Sequence, residues 1–156
     1  MLITVNGGIN LNVAPYKLKP AFKAAWLKSL RDPNTKQVSG VLKGILDFDE
    51  DRVGFCCLGV GACVLQREFG DELYEHGFTI EERRYSLTIS LPNEELSASL
   101  HWELVPLMFD LGEGGSEEIR SRSTEVRDTT LSALISLNDT HRWSLLQIAD
   151  FIEEHL

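Results

Sequence analysis

Cys56 and Cys57 stand side by side, and Cys63 follows in the same uncharged run from Gly54 to Leu65. A thiol at the start of a helix has a lowered pKa, because the N-terminal amides favour the thiolate that attacks in cysteine enzymes. Such an enzyme also needs a base, and His76, His101, His141 and His155 are the only histidines. None stands in a recognisable nucleophile–base signature. The opposite reading is an apolar setting, which raises the thiol pKa and leaves cysteine as a small core residue. A zinc site needs four ligands in tetrahedral array; adjacent cysteines point different ways, and no C-x-x-C or H-x-x-x-H pair is present. Neither the Gly-Lys-Ser/Thr of a phosphate loop nor a dinucleotide fingerprint surrounds Gly54, Gly59 and Gly61. The sequence therefore favours a protein that is not an enzyme and carries no cofactor or metal.

Binding chemistry is better represented. Lys17, Lys19, Lys23, Lys28, Arg31, Lys36 and Lys43 face one acid, Asp32, between residues 17 and 43. A local basic patch on an acidic protein suits a small anionic ligand. Within it, Arg31 offers phosphate a planar fork and Lys28 a point charge, although a solvated helix face explains both equally. Gln37, beside Lys36, has no cap or turn role that accounts for it. Asn138-Asp139 either caps a local turn or reads the edge of a base or the hydroxyls of a ribose. Trp26 belongs to the core or stacks on a base. Trp26, Lys28, Arg31, Lys36, Gln37, Asn138 and Asp139 are the candidate ligand-binding residues.

The bulk composition constrains the partners. The chain has 156 residues, 43% apolar and 25% charged, with a net charge of −9 and a pI near 4.9. That length fits one domain that buries about two thirds of its unfolded surface. The acidic balance disfavours nucleic acid and anionic membranes as partners, and suits a basic protein partner or simple solubility. No run is long enough to span a bilayer, and Met1-Leu2-Ile3-Thr4 lacks the basic start of a secretory signal. An odd cysteine count does not resemble a secreted disulfide framework, so a reducing cytoplasm is expected.

The elements that must position these residues follow from periodicity. Residues 2–5 and 9–13 predict a hairpin around Asn6-Gly7-Gly8. Lys19-Pro20 opens a helix with Phe22, Ala25, Trp26 and Leu30 on one stripe, stopped by Asp32-Pro33-Asn34. Residues 36–42 predict a strand, and 47–51 a charged loop. The uncharged run predicts a strand ending near Phe55 and a helix from Cys57 to Phe69, with Gly59 and Gly61 admitting a second backbone. Thr79-Ile80 and 85–91 predict a hairpin turning at 81–84. Asn93 caps a helix over 94–104, with a new turn from Pro106 to Gly112. Residues 113–128, polar and glycine-bearing, predict a mobile loop. A helix over 130–137 precedes Asn138-Asp139, and Ser144 with Gln147 makes a capping box for a last helix whose face is Leu145, Ile148, Ala149, Ile152 and Leu156. The fold class is α+β: a single compact domain over 1–156, mostly antiparallel sheet with packed helices.

Several stretches together carry a resemblance. Trp26-Leu27-Lys28-Ser29-Leu30-Arg31, Gln37-Val38-Ser39-Gly40-Val41-Leu42 and Phe55-Cys56-Cys57-Leu58-Gly59-Val60 occur in that order. Leu137-Asn138-Asp139 and Ser144-Leu145-Leu146-Gln147-Ile148-Ala149-Asp150-Phe151-Ile152-Glu153 follow. The chain resembles a family of small tailed-phage and prophage proteins without an assigned function, over about half its length. That family's pattern has another cysteine two residues after the valine, where this chain has Ala62 and places Cys63 one position later. The 1–13 hairpin and the 113–128 segment look like additions. The resemblance implies a phage accessory protein acting in the host cytoplasm, and it supplies no catalytic residue.

Three functions follow as expectations. The first is a non-enzymatic phage protein, as a small oligomer, that sequesters a nucleotide-type ligand serving as a bacterial immune signal. The second is an acidic inhibitor that docks on a host defence protein. The third is a cysteine-dependent enzyme using Cys56 or Cys57.

Overall fold

The structure, a computed structural model, describes residues 1–47, 52–91, 94–96 and 100–156. Its centre is the uncharged run. Strand β5 (Arg52–Phe55) leads through Cys56 into a buried helix, Cys57–Glu68. That helix is the second of the chain, α2; α1 is Pro20–Leu30. A Cβ on Gly59 would collide with the carbonyl oxygen of Leu42. Gly61 meets the Trp26 ring, with 3.3 Å from a Cβ to the nearest ring atom. Both glycines trade helix propensity for close approach, one to backbone and one to a side chain.

Four helices close a ring around the core. α6 (Ser132–Asp139) and α7 (Leu145–His155) complete it, and contacts run α1 to α2, α2 to α6, α6 to α7 and α7 back to α1. Each buries the stripe that its periodicity marks: Phe22, Trp26 and Leu30 in α1, and Leu145, Ile148, Ala149 and Ile152 in α7. The Ser144 hydroxyl accepts from Gln147 N at 3.1 Å while the Gln147 side chain accepts from Ser144 N at 2.9 Å, so the capping box forms as predicted.

Among the described residues the strands make four small antiparallel sheets against this ring, which is the α+β class expected. β1 (Leu2–Val5) pairs β2 (Ile9–Asn12), with positive φ at Gly7 and Gly8 rather than at Asn6. Ile3, Leu11 and Val13 carry the hairpin into the common core. β3 (Lys17–Leu18) pairs β9 (Phe109–Asp110), and β4 (Lys43–Asp47) pairs β5. β6 (Thr79–Glu82), β7 (Leu87–Leu91) and β8 (Glu94–Leu96) form the one three-stranded sheet among the described residues. α3 (Gly70–Glu75) links α2 to β6.

Several expectations need correction. Residues 36–42 are not a strand. They make one parallel bridge, with Phe55 N donating to Lys36 O at 2.8 Å and Val38 N to Phe55 O at 3.1 Å. The chain then turns at Gly40, whose φ is 83°, and pairs only from Lys43. The 79–91 hairpin turns later than expected, at 83–86, because Glu81 and Glu82 pair with Thr88 and Leu87. In place of a helix over 94–104, β8 borders β7 and a 3-10 turn covers Trp102–Leu104. The cause lies in β7: its buried Leu87 and Ile89 make it a central strand that takes a partner on each edge. The expected cap, Asn93, and most of the charged 47–51 loop lie outside the described residues. A short helix α4 (Val105–Met108) follows Leu104, and the chain is back in β9 before Gly112.

The largest correction concerns 113–128, expected to be a mobile loop. It holds helix α5 (Ser116–Val126), which runs into a π-helical turn over Arg127–Leu131 and then α6. Glu117 and Glu118 sit in the first turn, where the helix dipole favours acids, and Glu118 pairs with Arg122 at 3.3 Å. Only Ile119, Ser123 and Val126 face inward, a stripe too narrow to show against so much polarity. The π turn presents Thr130, whose hydroxyl accepts from Ala14 N at 2.9 Å and ties the hairpin down.

The Gly59 contact gives a direct test. Gly59→Ala should destabilise the fold by about 3 kcal/mol through overpacking, whereas Gly70→Ala, with open space around it, should stay within about 0.5 kcal/mol of wild type. Chemical denaturation of both variants measures the contrast.

Candidate functional site

Two of the candidate residues, 101 positions apart, meet in the structure. Gln37 Nε2 donates to Asn138 Oδ1 at 2.8 Å and to the Trp143 carbonyl at 2.7 Å. Asn138 Oδ1 also accepts from Cys57 N at 3.2 Å. Its Nδ2 donates to Val38 O at 2.9 Å and to Asp139 Oδ1 at 2.7 Å. A side-chain amide offers two donor hydrogens and two acceptor lone pairs, and Asn138 uses all of them inside the fold. Asn138 is 1% exposed. It closes the last turn of α6, not the gap between two helices, and joins the exit of α1, the start of α2 and the approach to α7.

The other candidates divide between frame and surface. Trp26 is wholly buried, and its indole N–H donates to the Cys57 carbonyl at 3.0 Å. Arg31 pairs with Glu153 at 2.8 Å and Asp150 at 3.0 Å on α7. Hydrogen bonds to Glu153, then to Asp150, push its pKa up. Lys17 and Lys23 donate to the carbonyls of His155 and Glu153 near the C-terminus of α7, where the helix dipole favours cations. Lys43 is buried and pairs with Glu82 at 3.2 Å. Most of the basic patch is therefore turned to the protein itself. Lys28 and Lys36 remain exposed and form no ion pair among the described residues. Asp139, half-buried, holds the Asn138 amide.

Burial drives all three thiol pKa values up: Cys56 above the ordinary thiol value, Cys57 well above it, and Cys63 to about 12. Cys56 is the N-cap of α2, and its sulfur accepts from Gly59 N at 3.3 Å, an effect that burial outweighs. Cys57 Sγ donates to the Leu134 carbonyl at 3.6 Å. Among the described residues, no three of His, Cys, Asp and Glu are grouped to hold a metal, and no helix is long and apolar enough to cross a membrane.

An open groove of about 430 Å³ lies beside this frame, between the end of α1, the outer face of α2 and the tip of β6. Its size is that of a small-molecule site. Phe55, Val60 and Cys63 supply apolar surface; Ser29, Asp32, Thr35, Gln66, Arg67 and Glu82 supply polar groups. Arg67 reaches across to Ser29 Oγ at 3.1 Å, and Lys43 sits 5.3 Å from the centre of the Phe55 ring. Lys28 and Lys36 directly neighbour Ser29 and Thr35 in sequence. Sequence reasoning did not single out Phe55, Gln66, Arg67 or Glu82. The available signal was the helical spacing of Val60, Cys63 and Arg67, which puts a cation on the same stripe as buried Val60 and half-buried Cys63.

Fold and site together define an α+β domain with a cross-tied helical ring and an open lateral groove. The chain belongs to the family described as Domain of unknown function (DUF8296), whose sequence profile matches residues 18–156. The match takes in the ring, the groove and the 113–128 segment, and leaves the 1–13 hairpin outside. No curated protein and no solved structure matches the chain.

Removing the Asn138 amide orphans Cys57 N–H, the Val38 carbonyl and one Gln37 donor. Asn138→Ala should therefore lose about 4 kcal/mol in denaturant titration. The thiols give a second test. Their folded pKa values exceed the ordinary 9.0, so the unfolded chain loses protons first. Their contribution to stability is full below pH 9 and falls as pH rises toward 12. At pH 8, Cys56 and Cys57 should resist a thiol reagent until the protein is unfolded; rapid labelling of the native protein would instead mark a nucleophile.

Proposed function

We propose that the protein binds and sequesters a small nucleotide-type ligand in the groove beside α2, without converting it. The observation that carries this reading is the groove's composition: an aromatic and apolar floor beside Arg67, with Lys28 and Lys36, which form no ion pair among the described residues, next in sequence to the lining residues Ser29 and Thr35. A flat base lies against Phe55, Val60 and Cys63, and the anionic part meets Arg67 and the lysines. Gln37, Asn138 and Trp26 hold the helices that shape the groove. Burial raises the pKa of all three thiols, which supports a binding role over a cysteine-dependent enzyme. The phage resemblance supplies the setting: a counter-defence protein in the host cytoplasm, its ligand a bacterial immune signal.

A thermal-shift panel of cyclic dinucleotides, cyclic trinucleotides, ADP-ribose derivatives and ordinary nucleotides tests this, followed by mass spectrometry of each mixture. A binder should raise Tm by roughly 5–10 °C at saturation and be recovered intact. Arg67→Glu should weaken it about tenfold or more. A consumed ligand would make the protein an enzyme. The absence of any shift would move the function to the acidic surface and a protein partner.

A further inference from the structure

We infer that the base taken by the groove is guanine, read by the unpaired oxygens of Glu82, Gln66 and Asp32. The inference rests on the ligand-binding reading above and deepens it. It comes from counting which hydrogen-bonding groups of the groove are already used. Gln66 Nε2 donates to the Ile80 carbonyl at 2.8 Å, which fixes the amide and leaves its carbonyl oxygen as an acceptor. Glu82 Oε1 takes the Lys43 ammonium at 3.2 Å, and its second oxygen has no partner among the described residues. Asp32 Oδ1 accepts from Asn34 N at 2.9 Å, and its other oxygen is likewise unpaired among the described residues. Thr35 gives its hydroxyl proton to the Ser29 carbonyl at 3.1 Å.

What remains is a set of acceptors on Glu82, Gln66 and Asp32 around an apolar floor, with the Ser29 hydroxyl, the second Gln66 N–H and Arg67 as the remaining donors. A ligand that fits must bring adjacent donors to the acceptors and an anion to the arginine. Guanine presents N1–H and N2–H₂ side by side on one edge. Adenine and cytosine present one amino group beside a ring acceptor. Uracil and hypoxanthine present one N–H beside carbonyl oxygen, which would face the groove's own oxygens. Phosphate on the same molecule meets Arg67. A groove of about 430 Å³ accommodates a ligand of this class.

Calorimetric titration of the full chain with GMP, IMP, AMP and UMP tests the inference, with putrescine as a ligand that brings donors but no anion. GMP should bind at least about tenfold more tightly than IMP, which lacks only the N2 amine, and than AMP or UMP. Glu82→Gln should weaken GMP about tenfold and AMP by less. Asp32→Asn, on an exposed turn and keeping the Asn34 contact, provides a second variant that does not disturb the Lys43 pair; it too should weaken GMP more than AMP. Equal binding of GMP, IMP and AMP overturns the guanine inference and leaves the nucleotide reading standing. Putrescine binding as tightly as GMP overturns it in favour of an amine site. Failure of every nucleotide to bind defeats the nucleotide reading itself.

Discussion

The rest of the structure depends on the side-chain amide of Asn138, which ties the segment after α1 and the start of α2 to the end of α6. Every hydrogen-bonding position of that amide is filled: by Gln37 and Val38 from the segment after α1, by the first amide of α2, and by Asp139 beside it in α6. Gln37 extends the tie to the Trp143 carbonyl at the approach to α7. A buried amide with one partner missing leaves polar atoms in an apolar interior, at a cost well above the net gain of an ordinary hydrogen bond. The arrangement is therefore close to all-or-none. It fixes how the ring closes, and the ring fixes the width of the groove beside α2.

Charge supports the same closure from outside. α1 is basic and the exposed face of α7 is acidic, and the two helices lie against each other. Arg31 meets Asp150 and Glu153, while Lys17 and Lys23 reach the last carbonyls of α7. These contacts are exposed and individually weak. Their effect is orientational: opposite charges on facing surfaces disfavour any register that would bring acids together on a chain of net charge −9.

Much of this frame was legible in the sequence. The α1 stripe, the strand-to-helix switch at Cys56 and the Ser144–Gln147 box each rest on local spacing, and local spacing is what a sequence displays. Gln37 could be noticed because it had no local role and Asn138 because it offered a turn cap or a base contact, but their contact spans 101 residues and no spacing rule reports it. The basic patch was visible as a run of charge; that most of it faces α7 depends on which helix packs opposite. α5 escaped because Ile119, Ser123 and Val126 form a stripe only three residues wide in a polar helix. β8 escaped because a three-residue edge strand is defined by its partner, β7, more than by its own side chains. The groove was the least legible part, since its walls come from α1, β5, α2 and β6 and only the α2 wall shows a spacing of its own.

The account therefore separates two sets of polar residues that look alike in the sequence: Gln37 and Asn138, which hold the ring, and Gln66, Arg67 and Glu82, which line the groove. The most direct measurement is an NMR titration of the isotope-labelled protein with GMP, following backbone amides and side-chain NH₂ groups together. The account predicts shifts at Phe55, Cys63, Gln66, Arg67 and Glu82, with the side-chain amides of Gln37 and Asn138 unmoved. Shifts centred on Gln37 and Asn138, with the groove silent, would contradict it and make the tie itself the binding site.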